Sequence, residues 1–367
     1  MTESKVSGVK AGAAAGQTVS GTQLPKSNDT LSVPLPAGFD VLADDDLLTA
    51  QVTESLEAVE EQLLAALSCT DELANSAARY LAEAGGKRIR PLLTILTSLL
   101  GEGVNERVLR AAVVMEMTHL ATLYHDDVMD SAPLRRGAPS AHEVWGNSVA
   151  ILTGDLILAR ASQLMTELGD DGSRIQAETF ERLVMGQLRE TVGPREGEDP
   201  YDHYLGVIAN KTGSLVAAAA QLGAYYGRTD PGHSQLLQTY GEAVGIAFQL
   251  ADDVIDLTAE GASSGKSPGT DLREHVLTLP VLLLRRAAQS KDSSAQAALD
   301  LVDRDLTGDA ELAEAVRAVV AHPVTEEAWA VARGWSIRAK EAISPLPEST
   351  VKSALLSFAD AVVDREA

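Results

Sequence analysis

The sequence predicts an all-α protein built as a single large antiparallel helical bundle. From about residue 44 onward, apolar residues recur at steps of three and four, as in residues 47–67. No alternating run of β-branched residues is long enough to indicate a sheet. Hydrophobic residues make up 45% of the chain and aromatic residues only 4%, which suits a core of Ala, Leu and Val. Bundles of this kind place their sites between facing helices, so we expect a central active-site cavity.

The domain organisation follows from the same patterns. Residues 1–43 are rich in Gly, Ser, Thr, Ala and Pro and lack helical periodicity, which predicts a disordered N-terminal tail. Residues 44–367 form the predicted all-α domain. Within it, Thr70-Asp71 is expected to cap a helix, because short polar side chains there precede a new periodic segment. The helices after about residue 280 carry no evident chemistry and are interpreted as packing elements.

Composition excludes several classes of protein. The formal net charge of -23 argues against a nucleic-acid partner, since the phosphate backbone would be repelled. The single cysteine, Cys69, rules out an intramolecular disulfide and favours a cytoplasmic location. No window approaches 18 uninterrupted apolar residues, so a transmembrane segment is not expected. The N-terminus also lacks the apolar core of a secretory signal.

The first chemical motif is acidic and ends a long apolar run, residues 111–123. Asp126 and Asp130 are four residues apart and share one face of the predicted helix, with Asp127 between them. Two stacked carboxylates repel each other, so a cation is expected beside them. Oxygen ligands with open positions suit Mg²⁺, which keeps waters and accepts substrate phosphates as further ligands.

A second copy of the spacing follows the apolar run of residues 243–250. Asp252, Asp253 and Asp256 repeat the D-D-x-x-D pattern. A single acidic cluster of this kind is usually a solvated helix face. Two copies, each ending an apolar helix, favour a site in which facing carboxylates hold Mg²⁺ ions and a diphosphate between them.

Basic residues both precede and follow the first acidic motif along the chain. Residues 85–91, GGKRIRP, bring three cations to a predicted helix start, where the helix dipole disfavours them unless an anion docks there. Arg135 and Arg136 follow the first motif, and arginine binds phosphate through a planar fork. The alternative readings are a merely basic helix start and simple charge balance for the acidic motif.

Together these motifs resemble those of trans-isoprenyl diphosphate synthases, the polyprenyl synthetase family, from about residue 47 to the C-terminus. Further segments carry the resemblance at the expected order and separation: Lys211-Thr212, Phe248-Gln249 and residues 265–272. The resemblance implies an all-α bundle of the isoprenoid synthase type. It also implies Mg²⁺ as the metal, with isopentenyl diphosphate and allylic prenyl diphosphates as substrates.

The resemblance assigns roles to individual residues. The metal ligands are Asp126, Asp130 and Asp252. Isopentenyl diphosphate is bound by Lys87, Arg90, His119 and Arg136. The remaining catalytic and allylic-diphosphate residues are Asp127, Arg135, Lys211, Thr212, Gln249, Asp253 and Lys266. Without the resemblance, His119 would be read as a satisfied core histidine. Lys266 lies in a loose Gly- and Ser-rich stretch, which we expect to close over the bound diphosphate as a lid.

The expected reaction is repeated trans addition of isopentenyl units to an allylic diphosphate. In this family the residue five before the first motif often limits the product, and here it is Ala121, with Met117 one turn further on. A small residue leaves the path open, so we expect a long-chain polyprenyl diphosphate, a quinone side-chain precursor. The alternatives are a geranylgeranyl or farnesyl diphosphate synthase and a non-catalytic regulatory subunit of a heteromeric synthase. A terpene cyclase or squalene-forming enzyme and an acidic scaffold fit the motifs less well.

One residue departs from the family pattern. Val276 stands where the family usually has another diphosphate-binding lysine. The resemblance also implies a homodimer. The single cysteine indicates a cytoplasmic protein, and we expect peripheral membrane contact for release of an apolar product.

Overall fold

The computed structural model describes residues 35–258 and 268–364, and these residues are predominantly helical, which confirms the predicted all-α class. A 3₁₀ turn, Asp40–Asp44, precedes the first α-helix, and a π-helical segment, Ala209–Gly213, joins α8 to α9. The α-helices in chain order are α1 (Asp46–Leu67), α2 (Glu72–Glu83), α3 (Ile89–Ser98), α4 (Glu106–Met129), α5 (Ala141–Trp145), α6 (Asn147–Thr166), α7 (Asp170–Val192), α8 (Pro200–Ile208), α9 (Ser214–Tyr226), α10 (Pro231–Thr258), α11 (Thr270–Arg273), α12 (Leu279–Gln289), α13 (Ser293–Val302), α14 (Asp309–Ala321), α15 (Val324–Ala342) and α16 (Thr350–Ala361).

A short hairpin follows α4. Strands β1 (Leu134–Arg135) and β2 (Ala138–Pro139) pair antiparallel, with Arg135 opposite Ala138. The two turn residues, Arg136 and Gly137, both have positive φ, at 54° and 79°, as tight hairpin turns require. Two-residue strands are too short to leave an alternating pattern in the sequence. The hairpin places Arg135 against Asp127 near the end of α4, whereas Arg136 donates to the carbonyl oxygens of Leu81 and Gly85.

Helix α9 connects the two helices that carry the acidic motifs. Both α4 and α10 pack against it, and α3 packs against it from a further side. The approach of α3 is close enough to require glycine at Gly223, where an added Cβ would lie 2.1 Å from the Thr94 carbonyl oxygen. Ala218, Ala219 and Ala220 on α9 are almost fully buried. Small side chains on α9 therefore bring α4 and α10 into one bundle.

Several helix starts have capping side chains. The Asp71 side chain accepts a hydrogen bond from the Ala74 backbone N–H at the start of α2, which confirms the predicted cap. Asp45 caps α1 and Asn105 caps α4 in the same manner. Each such cap stabilises its helix by about 1 kcal/mol, because a backbone donor would otherwise lack an intrahelical partner.

The structure moves the N-terminal boundary of the domain. Phe39 is completely buried and its ring stacks on Phe358 of α16, with centroids 4.6 Å apart. Gly38 lies so near α16 that an added Cβ would be 2.5 Å from the Ala361 Cβ. Leu35 also packs against the core. The boundary predicted at residue 43 is therefore too late, because residues 35–43 pack on the core. Residues 1–34 of the predicted tail lie outside the described residues.

Candidate active site

The first acidic motif lies at the C-terminal end of α4. Asp126 is half-buried, whereas Asp130, the residue that ends the helix, is exposed. Burial raises the pKa of Asp126 to about 6, and the negative charges of Asp130 and Glu190 add to the shift. Lys211 and Arg135 oppose it. Burial and the neighbouring negative charges destabilise the ionised form of Asp126. A bound cation would stabilise that form, so Asp126 is a strong candidate for a metal ligand.

Asp127 points away from this face and into the protein. Its side chain is completely buried, and its Oδ1 accepts hydrogen bonds from Nε and Nη2 of Arg135, each at 2.6 Å. Its Oδ2 is buried and has no hydrogen-bond partner within residues 35–258 and 268–364. The middle aspartate of the motif is thus placed to orient Arg135, and a direct contact with substrate does not follow from this geometry.

The second acidic motif repeats the arrangement on α10. Asp253 is buried, and its carboxylate accepts hydrogen bonds from the Tyr204 hydroxyl, from Gln249 Nε2 at 3.3 Å and from the Leu279 backbone N–H at 3.2 Å. Burial raises the pKa of Asp253 to about 7, although these three donors oppose the shift. Asp252, its neighbour, is only half-buried. Asp253, like Asp127, is therefore the buried middle aspartate of its motif. Its hydrogen bonds connect α10 to α8 and to the start of α12.

The π-helical segment Ala209–Gly213 links the two motifs. Lys211 Nζ lies 2.6 Å from Glu190 Oε2 on α7, and burial of its ammonium is outweighed by Asp126 and Glu190, so the pKa of Lys211 is raised. The hydroxyl of Thr212 donates to Gln249 Oε1 at 3.2 Å. Consecutive residues of one segment therefore reach towards α4 and towards α10. Glu190 and Tyr204 carry no recognisable signal in the sequence, because their partners Lys211 and Asp253 lie far away along the chain.

A second group of predicted residues forms a basic pocket between α2, α3, α4 and the hairpin. Arg136 donates to the carbonyl oxygens of Leu81 and Gly85. Burial lowers the pKa of His119 well below its ordinary value, and the charges of Arg90, Arg136 and Arg135 lower it further. The imidazole is therefore neutral at neutral pH and can donate one hydrogen bond to an anion. Lys87 is exposed in the loop before α3.

The segment that follows the second acidic motif contains the predicted lid and Val276. Lys266 and most of its predicted lid lie outside the described residues. The chain returns at Gly269, whose backbone N–H donates to the Asp256 carbonyl oxygen at 2.7 Å. Val276 is 42% exposed and lies three residues before Leu279, whose N–H binds Asp253. A lysine in place of Val276 would therefore lie near the second acidic motif.

A cavity of about 620 Å³ lies between α4, α6 and α7. Its wall on α4 is Thr118, about 12 Å along the helix axis from Asp126 at 1.5 Å per residue. Phe180 and Met185 line it from α7. Ala121 and Met117 are completely buried and are not among the residues that line this cavity. Their predicted influence on product length remains a prediction.

The donor set fits a divalent metal shared with an anionic ligand. Within residues 35–258 and 268–364, no three His, Cys, Asp or Glu side chains are close enough together to hold a metal ion by themselves. Asp126 and Asp130 nevertheless offer oxygen ligands one helical turn apart, and Asp252 offers another from α10. Magnesium commonly takes one or two protein carboxylates and completes its shell with water and substrate phosphates. The chemistry of these carboxylates fits that mode of binding.

The raised pKa of Asp126 predicts pH-dependent metal binding. Below about pH 6 the carboxyl group becomes protonated and loses its charge, so protons compete with the metal. We expect Mg²⁺ affinity to fall by up to about tenfold for each pH unit below 6 and to level off above it. Titration calorimetry at about pH 5 and about pH 7.5 measures this change. Equal affinities at the two values would show that Asp126 does not bind the metal.

Known proteins share the sequence and the architecture of this chain. The family model described as polyprenyl synthetase matches residues 71–319. A nonaprenyl diphosphate synthase of Mycobacterium tuberculosis is 42% identical over 330 residues, which cover 90% of this chain and 97% of that protein. The chain is also similar to a crystal structure of geranylgeranyl pyrophosphate synthase from Corynebacterium glutamicum complexed with calcium and isoprenyl diphosphate, with a TM-score of 0.78, 42% identity, and coverage of 87% of this chain and 97% of that one. A polyprenyl synthase from Caulobacter crescentus, complexed with the same ligands, gives a TM-score of 0.79, 31% identity, and coverage of 91% of this chain and 100% of that one. The chain belongs to the polyprenyl synthetase family.

Proposed function

We propose that this chain is a Mg²⁺-dependent trans-prenyltransferase that adds isopentenyl units repeatedly to an allylic diphosphate and yields a long-chain polyprenyl diphosphate. The observation that carries the proposal is the position of Lys211 and Thr212. They lie between the two acidic motifs, with Lys211 near Asp126 and Thr212 bonded to Gln249 of α10. These contacts support a single site in which the two carboxylate clusters and the basic pocket serve one reaction.

The allylic diphosphate is assigned to the acidic side of the site. Asp126, Asp130 and Asp252 would hold Mg²⁺, which supplies positive charge that stabilises the departing diphosphate. Arg135, oriented by Asp127, and Lys211 add fixed positive charge to the same leaving group. Lys211 is held by Glu190 in the free protein, so binding of the substrate would exchange one anionic partner for another.

Isopentenyl diphosphate is assigned to the basic pocket of Lys87, Arg90, His119 and Arg136. This pocket fixes the diphosphate, so that the double bond at the other end of the substrate can attack C1 of the allylic cation. The C1–O bond breaks, a C–C bond forms, and a proton is lost to the departing diphosphate. The product is again an allylic diphosphate, one unit longer. The aliphatic walls of the bundle exclude water from the cation.

The proposed product is long, and the related proteins do not decide this point alone. The nonaprenyl relative and the geranylgeranyl relative are both 42% identical to this chain. The long-chain proposal is supported by the small side chain of Ala121 and by the cavity beyond the first motif. A geranylgeranyl product is the second candidate, favoured by the structural relative of that name.

Product length should respond to bulk on α4. Thr118→Phe places a ring in the cavity and is expected to shorten the wild-type product by several isoprene units. Ala121→Phe is expected to shorten it as well, with an overpacking cost of about 1–3 kcal/mol because that position is completely buried. Val320→Phe, at an exposed position of α14, is the control.

Chromatographic sizing of labelled products distinguishes these outcomes. A wild-type product that stops at farnesyl or geranylgeranyl diphosphate would contradict the long-chain proposal. Products of unchanged length from Thr118→Phe would show that the growing chain does not enter the cavity beside it.

We also propose that the chain acts as a cytoplasmic homodimer. One helix, α6, is long and apolar enough by length and composition to cross a membrane, and 33% of its most apolar window is buried. However, it carries Asp155 and Arg160, and one of its faces packs on α4. Large apolar side chains are exposed on α6 and the adjacent α7, namely Ile151, Leu152, Val184, Met185, Leu188 and Val192. A second subunit would cover such a surface, and peripheral membrane contact would serve product release.

Turnover tests the proposed function. Purified protein should incorporate labelled isopentenyl diphosphate into an allylic primer when Mg²⁺ is added, and chelation should stop the reaction. A terpene cyclase would instead consume the allylic substrate alone, and a regulatory subunit would do neither without a partner chain. Either of those results would overturn the proposal.

A further inference from the structure

Arg88 has an unusual position within the basic loop. Its neighbour Lys87 is exposed and Arg90 is half-buried, whereas Arg88 is 5% exposed and adopts a left-handed backbone conformation with φ of 47°. That conformation is uncommon for a side chain of this size and is energetically unfavourable. The cost is offset only if the side chain gains strong interactions where it points.

The guanidinium of Arg88 uses its full hydrogen-bonding capacity. Nε and Nη2 form a two-pronged contact with the carboxylate of Glu60, at 2.7 and 2.8 Å, and Nη1 donates to Glu116 at 3.0 Å. Further bonds reach the carbonyl oxygens of Ala82 at 2.9 Å and Gly85 at 3.2 Å. These five bonds match the five N–H donors that the group carries. Arg88 thus ties the loop to α1 through Glu60 and to α4 through Glu116.

The same cluster contacts the arginine of the hairpin. Nη2 of Arg136 lies 4.0 Å from Glu116, and Arg136 also donates to the Gly85 carbonyl oxygen. Gly86 lies between the two guanidinium groups, and an added Cβ would be 2.9 Å from both Arg88 Nη1 and Arg136 Nη2, so a larger residue would displace at least one of them. One buried network therefore sets the positions of the loop before α3 and of Arg136.

A contribution to stability alone is a weak explanation for this network. Taking three charges out of water is expensive, and buried ion networks are often no more stable than apolar side chains of the same volume. A charged network does fix relative positions tightly, because each donor has a defined direction. The network lies next to the basic pocket assigned to isopentenyl diphosphate. The positions of the cationic side chains in that pocket determine the affinity for the diphosphate.

We propose that Arg88, clamped between Glu60 and Glu116, is a positioning residue for the isopentenyl diphosphate site. The clamp does not touch the substrate. It holds Lys87, Arg90 and Arg136 in the arrangement that a diphosphate requires, and Glu60 contributes from α1, outside all of the recognised motifs. The inference rests on the proposed function, since it concerns one of the two substrate sites.

The test uses Glu60→Gln, which keeps the shape of the side chain, and Arg88→Lys, which keeps the charge but removes the planar fork. Each is expected to raise the KM for isopentenyl diphosphate about tenfold, which corresponds to about 1.4 kcal/mol, while the KM for the allylic substrate stays within about twofold. The double variant should do little more than either single variant, because the residues act as one unit.

Two controls separate positioning from stability. Lys352→Met removes a buried charge of α16 that binds Glu348 and two carbonyl oxygens, so it should lower Tm without changing either KM. Glu83→Gln removes the exposed partner of Arg79 just before the loop and should change neither quantity much.

The outcomes are distinct. A wild-type protein without turnover would overturn the proposed function and this inference with it. An active wild type whose Glu60→Gln and Arg88→Lys variants keep the KM for isopentenyl diphosphate, whatever their Tm, would overturn the clamp alone. An equal rise in both KM values would also overturn it, since it would mean general loosening of the bundle.

Discussion

Asp126→Ala is expected to reduce kcat by more than about 1000-fold while the free protein stays folded. The carboxylate is a proposed metal ligand, and without it the charge of the departing diphosphate is no longer compensated during C–O cleavage. Folding should not suffer, because burial and the nearby charges of Asp130 and Glu190 already disfavour the ionised side chain. The free energy of unfolding of the metal-free variant should therefore equal or exceed that of the wild type.

Steady-state kinetics at saturating Mg²⁺, combined with thermal unfolding, checks both parts of this expectation. Asp303→Ala is the control, since Asp303 is an exposed aspartate paired with Arg285 at the end of α13, outside the proposed site. Near-wild-type turnover of Asp126→Ala would exclude Asp126 as a metal ligand.

The second large effect is expected at Asp127. Asp127→Asn removes the charge that holds Arg135 and turns an amide group towards the guanidinium, so the arginine loses its fixed direction. We expect kcat to fall by about 100-fold, the size often seen when a group that orients a ligand is lost. The Mg²⁺ concentration for half-maximal activity should change little, because Asp127 faces away from the metal side of α4.

A comparison with Arg135→Lys makes this test sharper. If Asp127 acts through Arg135, the two single variants and the double variant should lose similar amounts of activity. Independent losses that multiply in the double variant would show that Asp127 has a separate role, as a direct ligand would. A large change in the Mg²⁺ requirement of Asp127→Asn would lead to the same conclusion.

Helical periodicity predicts much of this site because it is a local property. A four-residue spacing places Asp126 and Asp130 on one face of α4 whatever surrounds the helix. The same geometry turns Asp127 about 100° away at 3.6 residues per turn, so its different role follows from position alone. Its partner could not be derived in this way, because Arg135 returns to it through a hairpin that has no sequence periodicity.

Long-range partners account for most of what the sequence did not reveal. Glu60 is 28 residues from Arg88, and Tyr204 is 49 residues from Asp253. Nothing in the local pattern around Glu60 or Tyr204 distinguishes them from other polar residues of an amphipathic helix. Glu116 is different, since it is the one acidic residue within residues 111–123 and lies one turn before His119. A lone charge within an apolar segment could have indicated a buried network.

The N-terminal boundary was missed for a related reason. Residues 35–43 have no periodicity, yet Phe39 supplies a ring that stacks on Phe358 of the last helix. A single aromatic anchor can order a short segment without any repeat in the sequence, because burial of one ring contributes about 1.5–3 kcal/mol.

The central claim is that the two acidic motifs form one binding site for metal and diphosphate. Titration calorimetry with Mg²⁺ and a non-reactive allylic diphosphate analogue measures this directly in the wild type, Asp126→Ala, Asp252→Ala and the double variant. If the motifs share one site, either single substitution should abolish most of the Mg²⁺-dependent binding, and the double variant should lose little more. Losses that simply add, or a single substitution that leaves binding intact, would show that the two motifs act separately and would contradict the account.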